Sequence, residues 1–199
     1  MAAYHLNATL SSASDDALLA ANTTAIYKSN AASQRMKMGL YEESISLHRE
    51  ALTLKLQAYP ESSVQVAVTY NGMGEAFLRA GRLDEDDEVL SKALEVRERD
   101  GTYMDAATTR ENVGALREAQ NRFQDARDVR LRGAEKGMVC SNEHCLKTIM
   151  VPRSQLSTCA ACRAPFYCSK GCQKRDWNDR HKPLCKARTS AAASSQPAA

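Results

Sequence analysis

All seven cysteines of the chain lie between residues 140 and 185, and residues 1–139 contain none. They come in pairs: Cys140 with Cys145, Cys159 with Cys162, Cys168 with Cys172, and Cys185 with His181 four residues before it. Two donors separated by a short turn can close on one metal, and thiolate with imidazole is a donor set of zinc. Eight donors suffice for two tetrahedral ions. A disulfide framework would want an even number of cysteines and an oxidising compartment, so seven thiols and one placed histidine fit zinc better. Four protein donors per ion leave no position for a water, and both sites read as structural. His144 competes with Cys145 as partner of Cys140. Cys145 is preferred because it keeps the set at seven cysteines and one histidine.

No other stretch carries catalytic machinery. The histidines are His5, His48, His144 and His181. His48 sits in a helical stretch and reads as structural. There is no Gly-rich nucleotide loop and no Ser/His/Asp set, so the chain reads as a binding or adaptor protein and not as an enzyme.

The metal ligands need a scaffold, and residues 16–137 read as one. Helical segments there are broken at Met38-Gly39, Tyr59-Pro60, Ala80-Gly81, Asp100-Gly101 and Gln120-Asn121. Gly39, Gly81 and Asn121 head three related stretches: LYEES, RLDED and RFQDA. Small residues recur before each turn (Ala32, Gly74, Gly114) and after it (Ala51, Ala93, Gly133). Such self-similarity predicts a solenoid of helix pairs, its last helix spanning 123–136 and running straight toward the cysteines. Asn71, Glu75, Leu78, Glu111 and Ala115 would line the inner face, where the plainest reading of the charges is a solvated surface. Ser14 or Asp15 is placed to cap the first helix.

Residues 24–137 resemble the tetratricopeptide repeat family, in a longer variant of the repeat. The family pattern W-x2-L-G-x2-Y falls on Tyr70, Met73, Gly74 and Phe77, and its later A, F and A fall on Asp86, Leu90 and Ala93. Asp86 departs from it. The outer repeats are degenerate, with Lys28, Ala31, Ala32 and Arg35 in the first and Arg110, Val113, Gly114 and Arg117 in the third. The resemblance implies a surface for a second protein partner. Glu75 and Glu111 argue against a clamp for a C-terminal carboxylate.

Residues 140–185 resemble the MYND-type zinc fingers. Their pattern CxxC, YCSxxCQxxxW, HxxxC is met by Cys159, Cys162, Tyr167, Cys168, Ser169, Cys172, Gln173, Trp177, His181 and Cys185. The first pair departs, with four intervening residues where the family usually has two. The resemblance implies interleaved ligands: Cys140, Cys145, Cys168 and Cys172 for one ion, and Cys159, Cys162, His181 and Cys185 for the other. It also implies that a proline-containing peptide lies extended beside Ala160, with Gln173 and Trp177 from the next helix against it. An inward-packed Trp177 that seals a small core is an equal reading. Pro183 is expected to end the helix that begins near Cys168 and turn the chain back toward the metal.

The expected architecture is therefore all-α: a flexible arm over 1–15, helix-pair repeats over 16–137, a binuclear zinc module over 138–187 and a low-complexity tail over 188–199. Up to residue 137 there are 17 basic and 21 acidic side chains; from 138 there are 10 and 3. The basic module gives an alternative function, a zinc-dependent regulator associated with nucleic acid through Arg163, Lys170, Lys174, Arg175, Arg180, Lys182, Lys186 and Arg188. No long basic recognition helix supports it, and protein partners are favoured. No membrane span or signal peptide is expected, which suits the cytoplasm or nucleus.

Overall fold

Three turns of one kind divide the helical half of the molecule. The computed structural model describes residues 13–147 and 149–186. Most of the expected arm and the whole of the expected tail, residues 1–12 and 187–199, lie outside the described residues. Six helices come first: α1 (Ala13–Lys37), α2 (Tyr41–Ala58), α3 (Val64–Ala80), α4 (Leu83–Asp100), α5 (Tyr103–Ala119) and α6 (Phe123–Leu131). At the ends of α1, α3 and α5 the chain enters the left-handed region, at Gly39 (φ 77°), Gly81 (φ 74°) and Asn121 (φ 61°). These residues favour or tolerate that conformation. In each case the next N–H reaches back to the helix: Leu40 to the Arg35 carbonyl, Arg82 to Phe77 and Arg122 to Arg117. The same Schellman closure thus reverses the chain three times.

The starts of α3 and α5 are capped by side chains. The Ser63 hydroxyl accepts from the Val66 N–H at the start of α3. Thr102 and Asp105 form a reciprocal capping box at the start of α5. Ser14 and Asp15, expected as candidate caps, already lie within α1.

Consecutive helices pack as pairs, and α3 also touches α1 on one side and α5 on the other, which places these three helices along one side of the solenoid. The first core joins Ile45, Val66, Tyr70, Met73, Phe77, Val89 and Ala93 across α2, α3 and α4. The second joins Leu90, Leu94, Val113, Leu116 and Val129 across α4, α5 and α6. Close approach is needed at Gly74 and Gly114: a Cβ at Gly74 would strike the Leu90 side chain, and one at Gly114 the Arg130 guanidinium.

The last repeat helix is shorter than expected. α6 stops at Leu131 because Gly133 turns left-handed (φ 68°), and a single 3-10 turn, Ala134–Lys136, follows. Gly133, read in the sequence as a small packing residue, is a terminator here. The chain then lays Met138 against Val151 in an antiparallel bridge. A short ribbon follows, β1 (Ser157–Thr158) paired antiparallel with β2 (Phe166–Tyr167). The ribbon leads into α7 (Lys170–Asp176) and a π-helical turn, Trp177–His181. Pro183 does not end this helix, since the helical conformation runs on to Lys186. The wide turn, closed by Lys182 N–H to the Trp177 carbonyl, re-registers the ladder and accommodates the missing proline N–H.

Candidate metal centre and its seat on the repeats

The eight donors fall into two groups of four. Cys140, Cys145, Cys168 and Cys172 form one; Cys159, Cys162, His181 and Cys185 form the other. Within each, the ligand atoms all lie within 4.8 Å of one another. The spacing is that of a metal tetrahedron. With zinc–sulfur bonds of about 2.3 Å, sulfurs on a tetrahedral ion sit about 3.8 Å apart. Here Cys145 and Cys172 each lie 3.6 Å from Cys168, and Cys159 lies 3.9 Å from Cys185. Disulfide sulfurs would be about 2 Å apart, and all seven cysteines are free thiols. The imidazole Nε2 of His181 lies 3.3 Å from the Cys162 sulfur. Both sets are closed and rich in sulfur, the chemistry of two structural zinc sites. His144 stands outside both. Its ring is half-exposed beside Glu143, and its backbone N–H binds the Asn142 side chain.

Local structure brings the donors together. The turn after β1 carries Cys159 and Cys162, and Arg163 (φ 59°) redirects the chain behind them. β2 delivers Cys168, and Ser169 caps α7 by accepting from the Cys172 N–H at 3.1 Å. Ser141 fixes the first knuckle: its N–H donates to the Phe166 carbonyl at 2.7 Å, and its hydroxyl accepts from the Phe166 N–H at 2.9 Å.

The module shares its interior with the repeats. Phe123 and Ala126 of α6 pack with Cys159, Cys162, Ala164 and Cys185. Leu131 and Ala134 pack against Met138, Val151, Leu156 and Phe166. Trp177 is half-buried against the first of these clusters and meets the His181 ring edge-on at 5.8 Å. Ala160 is exposed and Gln173 half-buried.

A chain of buried charges crosses the same boundary. Glu111 and Glu118 lie two turns apart on α5, on one face. Arg130 of α6, itself buried, bridges them: Nη2 donates to Glu111 at 2.7 Å and Nη1 to Glu118 at 2.5 Å. Glu111 also accepts from the Ser141 hydroxyl at 2.9 Å. Glu118, wholly buried, accepts from Arg180 at 2.9 Å, and its Oε2 lies 3.0 Å from Nδ1 of His181. Burial alone would raise the Glu118 carboxyl, but Arg130 and then Arg180 outweigh it and hold the group ionised, below the usual carboxylate range. Arg180 is further held by Asp176, which accepts from Tyr167 at 2.7 Å.

These contacts correct the reading of the inner face as solvated. Glu111 belongs to the ion-pair chain, and Glu75 is half-buried between Asn71 and Asn112, its carboxyl raised by the loss of solvent around it. Glu75, Leu78, Glu111 and Ala115 line a groove of about 480 Å³ whose far wall is the first knuckle, Cys140 and Asn142 included. Asn71 faces inward instead, accepting from Thr109 and Asn112. The basic surface is also smaller than the sequence suggests: Arg180 is turned into the junction, and Arg188 lies outside the described residues. Glu118 escaped the sequence reading because nothing in its neighbourhood marks it. Arg130 carried a signal, being a charge in the slot that repeat two fills with Leu90.

The MYND finger profile matches residues 139–185, and the tetratricopeptide repeat profile matches residues 23–99 and 66–129. No curated protein and no solved structure matches the chain. Both families are non-catalytic modules for protein–protein contact, and the two together are consistent with an adaptor role. No helix among the described residues is long and apolar enough to cross a membrane. By the extent of the repeat match and the closed sulfur sites beyond it, this chain belongs to the tetratricopeptide repeat family and carries a MYND finger at residues 139–185.

Proposed function

We propose that the chain is an adaptor whose zinc module grips an extended, proline-containing segment of a partner protein, of the Pro-x-Leu type. The repeats present a second protein-binding surface. In this reading Cys140, Cys145, Cys168 and Cys172 hold one zinc, and Cys159, Cys162, His181 and Cys185 hold the other. The two units divide near residue 138, although they share interior side chains. The observation that carries the peptide role is the position of Trp177. It packs against the cluster that contains Cys159 and Cys162, the residues flanking exposed Ala160, and it keeps part of its ring in solvent. Among the described residues β1 pairs with a single strand, β2, which leaves main-chain groups for an added strand. The Gln173 amide can bind a peptide backbone, and the Trp177 ring offers apolar area to proline and leucine. The groove walled by Glu75, Leu78 and the first knuckle is the second surface.

Trp177 is the only tryptophan, so its emission reports directly on the site. Titration of the full chain with a Pro-x-Leu peptide should shift the emission saturably. A peptide with both anchors changed to alanine should leave it unmoved. Gln173→Ala should weaken binding without changing zinc content. Equal responses to both peptides would overturn the reading. Salt-sensitive binding of duplex DNA with no peptide response would favour the nucleic-acid alternative.

A further inference from the structure

We infer that Glu118, a residue of the third repeat, is the outer-sphere partner of the second zinc site, so that zinc occupancy and the seating of the finger on the repeats are one linked event. The inference rests on which nitrogen of His181 faces which group. Nε2 faces the sulfur cluster, 3.3 Å from Cys162, and Nδ1 faces the Glu118 carboxylate at 3.0 Å. A histidine that ligates through Nε2 must carry its proton on Nδ1, and a carboxylate there fixes the tautomer, orients the ring and raises its basicity. Here the carboxylate stands 63 residues before His181, on a different folding unit.

Glu118 has no other place to be. It is wholly buried, and its two oxygens take Arg130 on one side and Arg180 with His181 on the other. Arg130 belongs to the repeats and Arg180 to the finger, so the carboxylate is shared by the two units. Removing the metal frees His181 to leave, which strips Glu118 of one donor and loosens the helix that holds Arg180. Conversely, a repeat that opens at α5 or α6 takes the orienting carboxylate away from the zinc. Glu118 is a positioning residue in this scheme and touches no ion itself.

Zinc release from the full chain to a chromophoric chelator tests this. Glu118→Gln keeps the shape and removes the charge. It should speed one of the two release phases by about 10–100-fold, the range for loss of an outer-sphere partner, and leave the other phase alone. In ¹¹³Cd-loaded protein, only the resonance of the site with nitrogen among its ligands should move. In a His181→Cys background there is no imidazole to orient, and the effect of Glu118→Gln should fall to less than about twofold, which a purely structural role would not produce. If Glu118→Gln fails to fold, hydrogen exchange on the unaltered chain decides. Chelation should cost α5 and α6 their protection together with the finger. Wild-type release rates in Glu118→Gln, an equal effect in both backgrounds, or intact α5 and α6 protection in the metal-free chain would overturn the inference.

Discussion

Replacing Asp86 by alanine should make the protein more stable, and increasingly so as pH rises. Asp86 occupies the slot that Ser44 and Ala126 fill in the neighbouring repeats, and all three are fully buried. Neither of its carboxyl oxygens has a hydrogen-bond partner, and Arg117 is committed to Asp87 beside it. Burial, with Asp87 adding repulsion, pushes the Asp86 carboxyl up to about 8, against about 3.9 in the unfolded chain. A carboxyl raised on folding contributes its full stability below the unfolded value and loses it as pH climbs through the folded one. Each pH unit in that window costs about 1.4 kcal/mol. From pH 6 to pH 9 most of the titration is traversed, and the wild type should lose about 3 kcal/mol that Asp86→Ala does not lose. Urea unfolding followed by helical circular dichroism, with zinc in excess at each pH, measures the gap between the two proteins, from which common zinc effects cancel. A gap that stays constant from pH 6 to pH 9 would refute the assignment of an unpartnered, protonated Asp86. A variant less stable than wild type at pH 9 would refute it outright.

His48 should act with the opposite sign. Both its ring nitrogens are buried without partners, and burial, with Lys55 adding to it, lowers the ring to about 4. Stability is then present above the unfolded value of about 6.5 and lost as pH falls toward 4. His48→Leu, the residue at the matching position Leu90, should gain about 2 kcal/mol on wild type between pH 7 and pH 5 in the same unfolding assay. Cys168→Ser should reduce the zinc content measured by elemental mass spectrometry to fewer than two ions per chain and expose the finger to proteolysis. Cys168 lies 3.6 Å from two sulfurs of its site and directly follows buried β2. Two zincs retained would refute its place in the cluster.

The helix pairs were legible because each turn leaves its mark in sequence. Gly39, Gly81 and Asn121 are the residue types that a left-handed closure selects, and their regular spacing exposed the repeat before any pairing was known. The donor pairs were legible for a similar reason, since a metal turn needs its ligands a few residues apart. Where contacts join distant residues, sequence is silent. Glu118 looks like any exposed helix glutamate, and only the approach of Arg130, Arg180 and His181 gives it meaning. The solvated reading of Glu75 and Glu111 failed on the same point, because the finger and Asn112 cover a face that is open in an isolated helix pair. Pro183 misled because a π turn just ahead of it absorbs what would break a regular helix.

The substitution of Arg130 for leucine explains why the two units form one body. In repeat two, Leu90 covers Gly74 and hands an apolar surface to the next helix pair. In repeat three the next neighbour is a zinc finger, whose small interior is organised by metal and meets the repeats through two small apolar clusters, around Phe123 and around Leu131. Arg130 covers Gly114 in the same geometry but extends the interior as charge, through Glu111 to Ser141 at the first knuckle and through Glu118 to His181 at the second site. Buried ion pairs add little net stability compared with well-packed apolar groups, yet breaking one costs about 3–5 kcal/mol. The arrangement therefore contributes little by being present and much by being specific. Another helix pair stacked on α6 would leave Glu111, Glu118 and Arg130 without Ser141, Arg180 and His181, so the third repeat accepts this finger and resists extension of the solenoid.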